Sequence, residues 1–311
     1  MTEPGRTLQV GIQLPEVERV FRWPEIRAMA RLAEDAGFDS LWVGDHLLYR
    51  EEVRGVRGPW EAWTSLAGLA EATSRIALGP LVAATSFHAP AMLAKMAATV
   101  DEISGGRLIL GLGAGWNEVE YAAFGFPYDH RISRFEEAFT IVRRLLREGV
   151  CDFEGTWYTV RDCELLPRPR TGGPPLLIGS SGERMLRIAM PYADAWNVWY
   201  DDIENSPARL AGFRERVDRA CGEVGRDPAA VERTAAVLVR LRGGVGRDDA
   251  GSRRGIPPLT GTSEQIAAGL RAFAREGIAH VQLVLDPITE ASIAELAPVL
   301  GHLERASAGR P

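Results

Sequence analysis

Short β-rich runs alternate along this chain with longer amphipathic stretches, and that alternation limits its fold more than any other feature. Residues 8–14 read as a strand stopped by Pro15. Residues 24–36 read as a helix with proline in its first turn and Gly37 just past its end. Further strands are expected at 39–43, 75–83, 107–112, 175–178, 193–198, 231–241 and 280–285. Helices are expected at 61–73, 89–104, 129–148, 183–190, 207–224, 263–276 and 290–305. Eight strands, mostly each followed by a helix, favour a parallel sheet covered by helices. The 311 residues suit an α/β (β/α)8 TIM barrel with insertions, a fold that typically takes about 250 residues. A doubly wound open sheet is the alternative.

No shift in composition marks a boundary, so residues 1–311 read as one barrel domain. Residues 150–175 break the rhythm as an inserted excursion, and 153–160 within it read as a hairpin turning at Glu154 and Gly155. Residues 242–258, rich in Gly, Arg and Asp, read as a mobile loop between the seventh strand and its helix.

Composition narrows the function. With 46% hydrophobic and 25% charged residues the chain is neither disordered nor membrane-embedded in type. The net charge of −6 argues against a phosphate-backbone binder. The first residues lack a charged-then-apolar signal pattern, so a cytoplasmic location is expected. Lys95 is the only lysine, and the Gly-Lys-Ser/Thr of a Walker loop is absent. Cys151, Cys163 and Cys221 have no metal-ligand spacing and read as reduced structural thiols.

Four features carry chemistry. Gly111-Leu-Gly-Ala-Gly-Trp116 fails as a dinucleotide fingerprint, because Trp116 stands where a third glycine is needed. A glycine-dense strand end nevertheless lets a flat ligand approach the backbone; a tight turn under the barrel rim is the plain alternative. In Ile178-Gly-Ser-Ser-Gly-Glu183 a strand ends in small residues and opens into a helix, which suits a phosphate or an ordinary glycine-punctuated cap. Asp45 and His46 follow the second strand across Gly44, at the C-terminal mouth of a barrel. A histidine there can donate a proton or bond to a ring, with Asp45 setting its tautomer, or it can be a bland loop residue. Trp60, Trp63 and Trp116 fall in loops or helix starts and read as walls of an apolar pocket, whereas Trp42 and Trp196 read as core. His280 opens a strand and reads as a satisfied core residue.

Taken in order, these pieces resemble the bacterial luciferase-like superfamily of flavin- and deazaflavin-dependent oxidoreductases. The resemblance runs through Val43-Gly-Asp-His-Leu47, Glu61-Ala-Trp-Thr64, Thr73-Ser-Arg-Ile-Ala-Leu-Gly79 and His88-Ala-Pro90. It continues through the stretch from Lys95 to Arg107, Gly111-Leu-Gly-Ala-Gly-Trp-Asn-Glu118, Ile178-Gly-Ser-Ser-Gly182, Tyr192-Ala-Asp-Ala-Trp-Asn197 and Leu259-Thr-Gly-Thr262. Within the superfamily the Gly-Trp-Asn-Glu and Ser-Gly-Glu-Arg runs look most like the coenzyme F420-dependent branch.

The resemblance implies a cofactor across the C-terminal mouth. Its ring would pack near Val82 and Ala83, where the family often has a non-prolyl cis peptide. Ala114, Gly115, Trp116 and Asn117 would flank the ribityl chain, and Gly179, Ser180 and Ser181 would hold the phosphate. That places phosphate after the fifth strand, although barrels commonly bind it after strands seven and eight. The implied reaction is hydride transfer between the deazaflavin C5 and a small organic substrate, with His46, oriented by Asp45, as proton donor. Members that oxidise sugar phosphates carry an acid about where Trp116 stands. With Glu118 two residues on, the pocket of Trp60, Trp63 and Glu118 suits a bulkier, more apolar substrate. An FMN-dependent monooxygenase and a non-catalytic cofactor-binding barrel are the competing expectations. No nucleic acid, membrane or metal is implied, and a homodimer is the family habit.

Overall fold

The structure, a computed structural model, describes residues 6–51, 54–245 and 255–308, with side chains as far as Glu304. Nine parallel strand segments form a nearly closed barrel. They are β1 (Gln9–Gln13), β2 (Ser40–Val43), β5 (Ala77–Pro80), β6 (Ala83–Ala84), β7 (Leu110–Gly113), β10 (Leu176–Gly179), β11 (Ala195–Val198), β12 (Glu232–Arg240) and β13 (His280–Asp286). Two antiparallel hairpins lie outside it: β3 (Tyr49–Glu51) with β4 (Gly55–Arg57), and β8 (Val150–Glu154) with β9 (Thr159–Glu164). The barrel order is β5-β2-β1-β13-β12-β11-β10-β7-β6. β5 and β6 are consecutive pieces of one stave. β5 pairs with β2 and β6 with β7, and a bridge from Leu78 to Leu108 completes the seam. Counted so, there are eight staves, as expected for a TIM barrel.

The helices are α1 (Trp23–Ala36), α2 (Ala62–Ala72), α3 (Pro90–Ser104), α4 (Glu118–Phe124), α5 (Arg131–Glu148), α6 (Glu183–Ala189), α7 (Ala211–Gly222), α8 (Ser263–Arg275), α9 (Glu290–Leu296) and α10 (Pro298–Ala308). In α1, Pro24 opens the helix, and left-handed Gly37 closes it by donating its N–H to Ala33 and Glu34. Ile26, Met29, Ala30 and Ala33 are its buried stripe, at the spacing that one helical face requires. α5 buries Phe135 and Phe139, each worth about 1.5–3 kcal/mol of transfer from water. β12 and β13 pair in register from Thr234–His280 to Arg240–Asp286 and are buried at almost every position, as strands covered by helices must be.

Several expectations are corrected. The run 75–83 is not one strand but breaks between β5 and β6, where the Leu81–Val82 peptide is cis. The helix expected over 290–305 divides before Pro298, whose ring cannot continue the ladder of the preceding turn. α4 and the β3–β4 hairpin were not anticipated. The second hairpin turns over residues 155–158 rather than at Glu154 and Gly155. Its turn is fastened by Glu137, whose carboxylate accepts the N–H groups of Thr156, Trp157 and Tyr158 at 2.8–2.9 Å. Of the loop expected over 242–258, residues 246–254 lie outside the described residues. All three cysteines are free thiols. Among the described residues no helix is long and apolar enough to cross a membrane.

Candidate active site

A cavity of about 500 Å³ opens at the C-terminal ends of the staves. Because every stave runs the same way, the residue just past each strand is delivered to this one rim. Asp45 and His46 come from the end of β2, Val82 from the break in the third stave, Ala114 to Trp116 from β7, and Gly179 to Ser181 from β10. All of these line the cavity.

Val82 explains the glycines of its neighbours. A Cβ on Gly111 or Gly113 would come within 2.8 Å of a Val82 methyl, and one on Gly179 within 2.9 Å. Gly113 and Gly179, on two adjacent strands, therefore make room for one side chain, which forms a small apolar platform inside the mouth; at Gly111 the Pro80 carbonyl stands nearer still. Gly115 has φ +73, a conformation that favours glycine, and the Tyr121 hydroxyl occupies the space where its Cβ would stand. Tyr121 donates to the Ala114 carbonyl at 2.8 Å; burial pushes its own pKa up to about 12. After β10, the Ser180 carbonyl accepts from Trp196 Nε1 at 2.8 Å, which fixes the backbone of the small-residue step.

His46 Nδ1 lies 2.9 Å from Glu120 Oε1. The other oxygen of Glu120 accepts the N–H groups of Leu47 at 2.8 Å and Leu48 at 3.3 Å. Glu120, on α4, is only 1% exposed, so this carboxylate is built into the loop that carries the histidine. On the other side of the ring, Nε2 is 4.0 Å from Glu16 Oε1, which accepts the Tyr49 hydroxyl at 2.6 Å. Trp116 meets the ring edge-on, with centroids 5.6 Å apart. Burial alone would lower the histidine pKa. The carboxylates of Glu16, Glu120 and Asp45 outweigh it and hold His46 above its ordinary value.

The carboxylate paired with His46 is thus Glu120 and not Asp45, which corrects the expected pairing. Asp45 is buried, accepts the Ala84 N–H at 2.9 Å and faces His88 Nε2 at 3.1 Å, so it ties β6 to the mouth. Ala83 is fully buried in β6, and Asn117 donates to the Leu48 carbonyl at 2.9 Å; neither lines the cavity. Trp60, Trp63 and Glu118 do not line it either. Trp60 is half exposed and donates to the Phe21 carbonyl at 2.8 Å; Trp63 is buried edge-on to His88; Glu118 faces outward from the first turn of α4. Sequence reasoning missed Glu16, Tyr49, Glu120, Arg131 and Asn197, which do line it. A helical reading of 118–124 would have separated Glu120 from Glu118, since only one helix face can turn toward the mouth.

The comparisons with known proteins come from both sequence and fold. Residues 5–250 match the family model described as luciferase-like monooxygenase. The pyrimidine monooxygenase RutA of Caulobacter vibrioides is 32% identical over 213 residues, 65% of this chain and 57% of that protein. The RutA of Stutzerimonas stutzeri is 35% identical over 212 residues, 64% and 56% of the two chains. The chain therefore spans little more than half the length of these curated relatives. An F420-dependent secondary alcohol dehydrogenase, solved with an F420-acetone adduct, superposes with a TM-score of 0.79 at 20% identity, covering 96% of this chain and 99% of that one. EDTA monooxygenase from Chelativorans sp. BNC1 gives 0.77 at 17% identity, covering 98% and 94%. At such identities the structural likeness speaks for the fold alone. With the family model spanning most of its length, the chain belongs to the luciferase-like monooxygenase family.

Proposed function

We propose that the protein is a coenzyme F420-dependent oxidoreductase acting on a small, fairly apolar organic substrate, with His46 as its proton donor. The observation that carries this reading is the His46–Glu120 pair beside the Val82 platform. It is a histidine whose pKa is raised above its ordinary value, with one ring nitrogen anchored and the other turned toward Glu16 and the cavity. The residues present fit a flat, phosphorylated cofactor. The Gly113 and Gly179 cradle seats Val82 without crowding the mouth, and Gly179, Ser180 and Ser181 offer backbone and hydroxyl groups to a phosphate. When bound, the cofactor would supply a hydride donor or acceptor.

The chain's own part is to bind, to exclude water and to place a proton. Glu120 accepts a hydrogen bond from Nδ1–H and fixes the ring orientation, so that the protonated ring has Nε2–H as the proton it can deliver. Trp116, Tyr49 and Trp199 give the cavity its apolar walls. Asp45 serves indirectly, by holding Ala84 and so the break that displays Val82.

The F420 assignment is supported by the Gly115-Trp-Asn-Glu118 and Ser181-Gly-Glu-Arg184 runs, which resemble the F420-dependent branch of the superfamily. The sequence identity to RutA favours a second reading, an FMN-dependent monooxygenase. Titrating the purified protein with each cofactor while following tryptophan fluorescence separates them. Saturable binding of F420 with no response to FMN is expected; binding of FMN alone would replace the first reading with the second.

A further inference from the structure

Beneath the mouth the barrel interior is not apolar. Gln13, Asn197, Thr234 and Gln282 are each no more than 4% exposed. A core of similar shape built from hydrocarbon would avoid the desolvation of these groups. Asn197, Thr234 and Gln282 form one hydrogen-bonded group, and Asn197 is its member that lines the cavity. Asn197 Nδ2 donates both its protons, to Thr234 Oγ1 at 2.8 Å and to Gln282 Oε1 at 2.7 Å. In this arrangement Nδ2 is the inner end of the amide and Oδ1 the outer end. Among the described residues the carbonyl oxygen Oδ1 has no partner; it is not one of the sealed, unsatisfied atoms, and Asn197 lines the cavity. A side chain 96% buried is thus clamped on its donor end and presents its acceptor end to whatever fills the space. Asn197 stands opposite Gly179 in the sheet register, on the strand beside the small-residue step.

We infer that Asn197 is a specificity-determining residue whose carbonyl accepts the imide N–H of a flat heterocycle bound at the mouth. The claim rests on the reading that such a ring occupies this cavity, and it names the edge of the ring that the protein recognises. An acceptor with no donor of its own rewards a ligand N–H and penalises a ligand carbonyl or N-alkyl group at the same place. Thr234 and Gln282 act through Asn197 as positioning residues.

The test is a binding cycle. Wild type and Asn197→Leu, which keeps the bulk and removes the acceptor, are each titrated with F420 and with its N3-methylated form by tryptophan fluorescence. The expected result is that Asn197→Leu weakens binding of F420 about 10–100-fold and leaves binding of the methylated form unchanged. Equal weakening of both ligands, the signature of a merely structural role, would overturn the inference, as would no weakening of either. Asn197→Ala is the second variant if circular dichroism finds the leucine variant unfolded. If FMN binds and F420 does not, FMN and 3-methyl-FMN give the same readout, and only the choice of cofactor fails. If neither parent compound binds wild type, the ring reading and this inference fall together.

Discussion

The barrel holds a histidine near each end and treats the two in opposite ways. His46, at the C-terminal mouth, faces Glu120, Glu16 and Asp45, and their charges raise its pKa against the opposing effect of burial. His280, at the N-terminal end of β13, is 3% exposed and sits 2.7 Å from the Ser40 hydroxyl, which also accepts from Trp42 Nε1 at 2.7 Å. Burial dominates there, opposed only weakly by Asp39, and the pKa falls to about 4. Gly11 leaves the space that Ser40 and Trp42 fill. One end therefore favours the imidazolium form over a cavity, while the other favours a neutral ring in a hydrogen-bonded stack. This is the division expected of a fold whose chemistry sits at one face and whose stability is set at the other.

The contrast breaks most visibly by removing each ring. His46→Ala is expected to lower kcat about 100- to 10,000-fold, the usual worth of a positioned proton donor, with little loss of stability. His280→Ala should do the reverse. It opens a hole in the core and strips Ser40 of a partner, costing roughly 2–4 kcal/mol in urea unfolding while turnover stays within a few-fold. If His46→Ala turned over normally, the mouth would have lost its chemical meaning.

Acidity sharpens the same comparison. His280 has a folded pKa near 4 against an ordinary 6.5, so the unfolded chain binds more protons between those values. Stability is then lost as pH falls from about 6.5 to about 4, by at most about 3 kcal/mol, and the slope should vanish in His280→Ala. His46 acts with the opposite sign. Its raised pKa contributes stability that is complete below 6.5 and is lost as pH rises through its folded value. Urea melts of wild type and of each variant across pH 4 to 8 separate the two slopes. The smallest effect is expected from Asp45→Asn. It should lower the His46 pKa less than Glu16→Gln or Glu120→Gln does, because Asp45 is the weakest of the three influences.

Much of the barrel was legible because each stave is a short apolar run bounded by glycine, proline or a capped helix. The break between β5 and β6 was missed although Gly79-Pro80 stands directly before it, because the apolar residues on either side read as one continuous strand. The pairing at the mouth was misread for a geometric reason. Asp45 and His46 are sequence neighbours, but adjacent residues in an extended segment project to opposite sides. The histidine therefore meets Glu120, 74 positions away, and the aspartate meets Ala84 and His88. Nothing local could supply that partner. The small residues of Gly179, Ser180 and Ser181 were legible because their position depends only on where a strand ends.

The most direct measurement is an NMR titration of the histidine imidazoles, assigned through His46→Ala and His280→Ala and repeated in Glu120→Gln. The account predicts that His46 titrates above 6.5 and moves down when Glu120 loses its charge, while His280 stays neutral until about pH 4. A His46 that titrates below 6.5, or that is indifferent to Glu120→Gln, would contradict the claim that the carboxylates of the mouth raise its pKa.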